Sequence, residues 1–166
     1  LDSAPGRGSR FTITLPWQQP SSDSLPPVMS LPVESMPVTA TGATLILLVE
    51  DHAHTSAALA FYLTNQHYRV VTTGSGTEAL TFALQHRPDL ILTDIQMSDM
   101  DGLALVHRLR QQTACVKIPI IALTAHAMSG DRERFLAAGF TDYLSKPVDL
   151  RHLKAMITKY LQVTPV

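Results

Sequence analysis

Short apolar segments constrain the fold of this 166-residue chain more than any other feature. Three segments are apolar at nearly every position and predict strands: 45–49, 90–92 and 118–123. Two further segments, at 68–72 and 141–144, predict two more strands. A strand that is apolar at successive positions is buried on both faces. That burial is typical of a parallel sheet covered by helices on both sides.

Segments with helical periodicity lie between these strands. The sequence predicts helices over residues 53–65, 77–85, 102–110, 129–138 and 150–161, with Gly139 as the cap of the fourth. Five strands that alternate with five helices predict an open, doubly wound α/β fold with right-handed crossovers. In such folds the ligand site lies at the carboxyl ends of the strands.

The composition changes near residue 43, which divides the chain into three predicted parts. Residues 1–15 form a tail, residues 16–43 a Pro/Ser-rich linker, and residues 44–165 the folded domain. Between residues 16 and 37 lie six of the eleven prolines and only two charges, so this stretch is predicted to be extended. The first residue is Leu1, and we expect the chain to be a fragment of a longer protein.

The charge balance and the single cysteine restrict the function classes. A formal net charge of −1 argues against a nucleic-acid partner. The chain has no apolar run near the ~18 residues of a membrane span, so this segment is predicted to make no membrane contact. Cys115 stands alone, which excludes an internal disulfide. We expect a cytoplasmic location, with a membrane anchor upstream in the parent protein left open.

Polar side chains stand at the predicted carboxyl ends of the strands. They are Glu50, Asp51, Asp94, Thr124 and Lys146. Three crowded carboxylates repel one another, and a divalent cation would remove that repulsion. Oxygen ligands suit Mg²⁺ or Mn²⁺, and a metal opposite a lysine would neutralise the oxygens of a phosphoryl group in transfer.

These residues belong to motifs that resemble the response-regulator receiver family. The motifs are Leu-Leu-Val-Glu-Asp at 47–51, Pro-Asp-Leu-Ile-Leu-Thr-Asp at 88–94, Met-Asp-Gly at 100–102, Ile-Ile-Ala-Leu-Thr-Ala at 120–125 and Asp-Tyr-Leu-Ser-Lys-Pro at 142–147. The resemblance covers residues 44–161. It implies a flavodoxin-like (βα)5 fold whose five-stranded parallel sheet has the order 2-1-3-4-5.

The resemblance also implies the roles of the metal and acceptor residues. Asp94 is expected to accept the phosphoryl group. Asp51 is expected to bind the metal directly and Glu50 through water. Asp94 and the backbone carbonyl of Gln96 complete the implied ligand set.

Further roles implied by the resemblance concern the phosphoryl group and the switch. Thr124 and Lys146 are expected to contact its oxygens, and Ala125 leaves room for it. Tyr143 is expected to turn inward as Thr124 moves, and the Lys146–Pro147 peptide is expected to be cis. The face of the fourth helix, fifth strand and fifth helix would then change for a partner.

The implied function is that of a phosphorelay module. The donor is expected to be the dimerisation and phosphotransfer domain of a histidine kinase, and the acceptor a histidine phosphotransfer protein. Apart from phosphorylation and dephosphorylation of Asp94, no enzymatic activity is expected of this segment.

The tail resembles a second protein family. Residues 4–16 are similar to the end of a histidine-kinase ATP-binding domain, where a glycine turn precedes a final strand, here predicted at 11–15. This order implies a hybrid sensor histidine kinase as the parent, and without its domain the tail is expected to be disordered. A stand-alone response regulator remains an alternative to the hybrid kinase as the parent. A chance Gly-rich turn before a strand remains an alternative to the kinase resemblance of residues 4–16.

Other residues of the sequence distinguish this function from its competitors. An aspartyl-phosphate phosphatase would need an acid where Gln96 stands, and a receiver that binds partners without phosphorylation would not need all five chemical groups. The G-x-G-x-x-A pattern at 74–79 is interpreted as a turn at a sheet edge, not as a dinucleotide site. His52 and His54 are interpreted as exposed histidines at the start of a helix.

Overall fold

The computed structural model describes the backbone of residues 2–4 and 8–10, and then residues 44–125 and 131–161. The chain divides into two units, Leu1–Thr39 and Ala40–Val166. In the first unit, strand β1 (Asp2–Ala4) pairs antiparallel with β2 (Gly8–Arg10). The expectation that the tail strand has no sheet to join concerns residues 11–15 and not these two segments. The strand predicted at 11–15 and the linker lie outside the described residues.

The second unit alternates strands and helices. The strands are β3 (Leu45–Val49), β4 (Arg69–Thr73), β5 (Leu90–Asp94), β6 (Ile120–Thr124) and β7 (Asp142–Ser145). The helices are α1 (Ala53–Asn65), α2 (Gly76–His86), α3 (Gly102–Arg110), α4 (Asp131–Ala138) and α5 (Leu150–Leu161). All five strands are parallel, in the order β4-β3-β5-β6-β7. This confirms the doubly wound fold and the predicted order 2-1-3-4-5.

The central strands are buried on both faces, as their apolar runs predict. Successive residues of β3 alternate between two hydrophobic clusters, with Leu47 and Val49 in one and Ile46 and Leu48 in the other. The first cluster includes side chains of α2, α3 and α4, and the second includes side chains of α1 and α5. The helices therefore form one layer on each side of the sheet.

Element boundaries follow local capping chemistry. Helices α1, α3 and α5 have the predicted bounds, and α4 is described from Asp131, since residues 129 and 130 of the predicted helix lie outside the described residues. Ser75 and Asp101 accept hydrogen bonds from the backbone N–H groups of the first turns of α2 and α3. Gly139 ends α4 with a φ of 107°, a conformation that favours glycine, which agrees with its predicted role as a cap.

One arginine holds the irregular segment between α3 and β6. The half-buried guanidinium of Arg110 donates hydrogen bonds of 2.8–3.0 Å to four backbone carbonyls. These belong to Cys115, Val116, Ile118 and Gly139. Cys115 is buried in the same segment, and burial raises the pKa of its thiol. Arg110 therefore joins three carbonyls of this segment to the carbonyl of Gly139 at the end of α4.

Candidate functional site

Three carboxylates meet at the carboxyl edge of the sheet, as the sequence predicts. Glu50 and Asp51 follow β3, and Asp94 is the last residue of the adjacent strand β5. Glu50 is 2% exposed and Asp94 4%, whereas Asp51 is partly exposed. One oxygen from each carboxylate lies within 4.8 Å of the others. The parallel pairing of β3 with β5 therefore brings together acids that are 43 positions apart in the sequence, from Asp51 to Asp94.

Lys146 supplies the positive charge at this edge. Its Nζ lies 2.7 Å from Glu50 Oε2 and 2.7 Å from Asp94 Oδ2. Its backbone N–H donates to the carbonyl of Thr124 at 2.7 Å, and the following peptide bond to Pro147 is cis. Burial alone would lower the pKa of Lys146, but the hydrogen bonds to Asp94 and Glu50 outweigh it, so the pKa is raised. Lys146 is therefore a fixed cation between two buried carboxylates.

The remaining carboxylate oxygens show where a cation would bind. Gln96 N–H donates to Asp94 Oδ1 at 3.1 Å, and Ser98 N–H donates to Asp51 Oδ2 at 3.2 Å. Asp51 Oδ1 is buried and has no hydrogen-bond donor among the described residues. A buried carboxylate oxygen without a donor is costly unless a cation compensates it.

The charge balance of the site also favours a bound cation. Three carboxylates face one ammonium group, so two negative charges remain uncompensated at the sheet edge. Carboxylate donors, with water in the other positions, suit the octahedral, oxygen-rich coordination of Mg²⁺ or Mn²⁺. Glu50, Asp51 and Asp94 thus fit the divalent cation that the sequence predicts.

His52 also belongs to this cluster, which the sequence analysis missed. Its Nδ1 lies 2.8 Å from Asp51 Oδ1 and 3.3 Å from Glu50 Oε1. The 2.8 Å separation is an ion-pair distance, and no hydrogen bond to Asp51 Oδ1 accompanies it among the described residues. The His52 side chain is 73% exposed, as predicted, and the position directly after two acids was the only sequence signal.

The loop after Asp94 is attached to helix α2 by a second missed residue, Asp99. Ser75 Oγ donates to Asp99 Oδ2 at 2.6 Å, and the N–H groups of Gly76 and Thr77 donate to the same carboxylate. The hydrogen bond from Ser75, followed by that from Gly76, lowers the pKa of Asp99. The turn at 74–76 and the first residues of α2 thus bind a carboxylate of the chain itself.

The predicted switch residues Thr124 and Tyr143 lie on β6, the neighbour of β5, and on β7, the edge strand beyond it. Thr124 is the buried last residue of β6, Ala125 follows it and is exposed, and Thr124 is in register with Ser145 of β7. Tyr143 is half-buried on β7, with its ring centroid 5.5 Å from that of Phe135. Thr124 and Tyr143 therefore stand on adjacent strands of the same sheet.

Gly102 lies directly against the backbone of Asp94 and Ile95. A Cβ at this position would be 2.5 Å from the Asp94 carbonyl oxygen and 3.0 Å from the Ile95 Cα. Both are backbone atoms that no side-chain rotation relieves. We expect Gly102→Ala to lower the free energy of unfolding by about 2 kcal/mol, measured by urea denaturation. Gly74→Ala, whose Cβ would be 3.4 Å from its nearest neighbour, is the control and is expected to cost less.

Comparison with known proteins places this geometry in a family. The family model of the response regulator receiver domain matches residues 46–158. The polar-differentiation response regulator DivK of Brucella anthropi is 37% identical over 116 residues, which are 70% of this chain and 94% of DivK. DivK of Brucella ovis matches equally well.

Solved structures agree on the fold. A receiver domain of a sensor histidine kinase from Pseudomonas aeruginosa, with a magnesium ion coordinated in its active site cleft, is 36% identical with a TM-score of 0.68. The alignment covers 72% of this chain and 98% of that domain. A putative response regulator from Chloroflexus aurantiacus is 29% identical with a TM-score of 0.69, covering 72% and 98%. Among the described residues, no helix is long and apolar enough to span a bilayer.

Proposed function

Because the chain belongs to the response regulator receiver domain family, we propose that it accepts a phosphoryl group on Asp94 within a two-component phosphorelay. One observation carries this proposal: Lys146 Nζ lies 2.7 Å from an oxygen of Asp94, in a cluster with two further carboxylates. This arrangement supports phosphoryl transfer, in which positioning and charge stabilisation supply most of the catalysis.

The proposed step is a transfer from a phosphohistidine. A carboxylate oxygen of Asp94 forms a bond to phosphorus, the P–N bond breaks, and the donor imidazole nitrogen keeps the electron pair. Asp94 becomes a mixed anhydride. Lys146, already hydrogen-bonded to Asp94 Oδ2, is placed to neutralise the oxygens of the incoming group.

The proposed cofactor is Mg²⁺, with Mn²⁺ as an alternative. Glu50, Asp51, Asp94 and the Gln96 carbonyl would hold it. When bound, the ion supplies positive charge for the phosphoryl oxygens. Gln96 contributes in a second way, because its N–H fixes the orientation of the Asp94 carboxylate. The proposal rests on the oxygen donors and on Asp51 Oδ1, which has no hydrogen-bond donor in the described part of the chain.

A conformational switch would follow the transfer. We propose that Thr124 moves onto the phosphoryl oxygens, that Ala125 leaves space for them, and that Tyr143 turns into the space that Thr124 leaves. The position of Tyr143 supports this, because its ring is half-buried at the edge of the core, 5.5 Å from the ring of Phe135, and not enclosed by it. The face formed by α4, β7 and α5 would then change for a partner.

Two contexts for this domain have support. A hybrid sensor histidine kinase is supported by the resemblance of residues 4–16 and by the 36% identity to a receiver domain of a sensor kinase. It implies a kinase dimerisation and phosphotransfer domain as donor, a histidine phosphotransfer protein as acceptor, and a cytoplasmic location. A stand-alone response regulator is favoured by the match to DivK, of which 94% is covered.

Phosphorylation of the chain by a small donor tests the proposal. We expect phosphoramidate, which has the P–N bond of phosphohistidine, to add one phosphoryl group in the presence of Mg²⁺, measured by intact mass. Asp94→Asn should abolish the addition because it removes the nucleophilic oxygen. Glu133→Gln, an exposed acid on α4, is the matched control and should retain it. Equal labelling of the Asp94→Asn chain would refute the assignment.

A further inference from the structure

His52 is held against the acid cluster by the start of helix α1. It is the N-cap residue, with an extended backbone (φ −81°, ψ 104°), and its side chain makes no capping hydrogen bond. The ring instead turns back, so that Nδ1 faces Asp51 Oδ1 and Glu50 Oε1. Because most of the ring is exposed, the imidazole can exchange this contact for a metal bond without disturbing the core.

We propose that His52 is a nitrogen ligand of the cation site, and that the chain therefore binds Ni²⁺ through Glu50, Asp51 and His52. This rests on the metal site of the proposed function and adds a ligand to it. The consequence is a site that selects nitrogen-preferring divalent ions over Mg²⁺ more strongly than carboxylates alone would.

The interatomic distances fit one ion. Adjacent ligands at right angles, with bonds of about 2.1 Å, lie about 3.0 Å apart. His52 Nδ1 is 2.8 Å from Asp51 Oδ1 and 3.3 Å from Glu50 Oε1, so both contacts of the imidazole nitrogen are close to that spacing, and the ligand atoms of the cluster lie within 4.8 Å of one another. Asp51 Oδ1 is the nearer of these two oxygens and has no hydrogen-bond donor among the described residues.

Ni²⁺ and Mg²⁺ differ in the ligand atoms that they prefer. Imidazole binds late first-row ions such as Ni²⁺, whereas Mg²⁺ prefers oxygen and keeps several waters. Removing His52 should therefore cost Ni²⁺ a direct bond and cost Mg²⁺ little. Loss of the carboxylate of Asp51 should weaken both ions, since both bind oxygen.

Calorimetric titration of the chain with NiCl₂ and with MgCl₂ tests this inference. We expect His52→Ala to weaken Ni²⁺ binding about tenfold or more and to change Mg²⁺ affinity by less than about threefold. His54→Ala is the matched control, because His54 is an exposed histidine of the first turn of α1 that does not belong to the cluster, and its loss should leave both affinities unchanged. Thermal unfolding monitored by circular dichroism checks that each variant is folded.

Three outcomes would overturn the inference. They are an unchanged Ni²⁺ affinity in His52→Ala, an equal loss in His54→Ala, and a parallel loss of Ni²⁺ and Mg²⁺ in His52→Ala, which would mean that the ring only positions the acids. Failure of the proposed function is distinguishable, since it would remove Mg²⁺ binding and Asp94 phosphorylation from the unmodified chain. Failure of the His52 assignment leaves both intact.

Discussion

Replacement of Arg110 by methionine is expected to lower the free energy of unfolding by about 3 kcal/mol. The guanidinium donates to four backbone carbonyls, which would lose a charged donor together. A hydrogen bond to a charged group contributes about 1.5–3 kcal/mol, and water can replace part of this because Arg110 is only half-buried. Methionine keeps most of the aliphatic packing, so the decrease in the free energy of unfolding measures the contribution of the hydrogen bonds.

Urea denaturation followed by circular dichroism measures this effect. Arg108→Met is the matched control, because Arg108 lies on the same helix with an exposed side chain and should change stability by less than about 0.5 kcal/mol. An Arg110→Met chain as stable as the Arg108→Met chain would show that the segment between α3 and β6 is held by other contacts.

The sequence could predict the sheet because each strand carries its own signal. The runs at 45–49 and 90–92 are too short for helices and apolar on both faces, and the structure buries them on both faces. It could also predict that Glu50 and Asp94 converge, since both follow buried parallel strands. The strand order came from the family resemblance, because periodicity does not state which strands are neighbours.

Contacts that depend on side-chain direction could not be predicted. His52 joins the acid cluster because its ring turns back from the N-cap position, and nothing in its sequence neighbourhood states that direction. Asp99 meets Ser75, which lies 24 positions away. Arg110 contacts carbonyls of an irregular segment, and backbone carbonyls leave no residue-specific signal in a sequence.

The second large effect concerns the balance of charge at the acid cluster. We expect Lys146→Met to lower the free energy of unfolding by about 2 kcal/mol or more when no divalent cation is present. The substitution leaves Glu50 and Asp94, both almost fully buried, without their shared cation. Removal of one partner of a buried ion pair costs about 3–5 kcal/mol, and the partial exposure of Lys146 moves the expectation toward smaller values.

Mg²⁺ should restore part of the stability that Lys146→Met loses, because the ion supplies the positive charge that the lysine no longer provides. The stability gained on adding Mg²⁺, measured as the shift in the urea midpoint, is expected to be larger in Lys146→Met than in the unmodified chain. Lys159→Met is the control, since Lys159 is exposed and 3.8 Å from Asp142, and it should leave both midpoints nearly unchanged. If Lys146→Met were as stable as the Lys159→Met chain without Mg²⁺, the lysine would not be what balances Glu50 and Asp94.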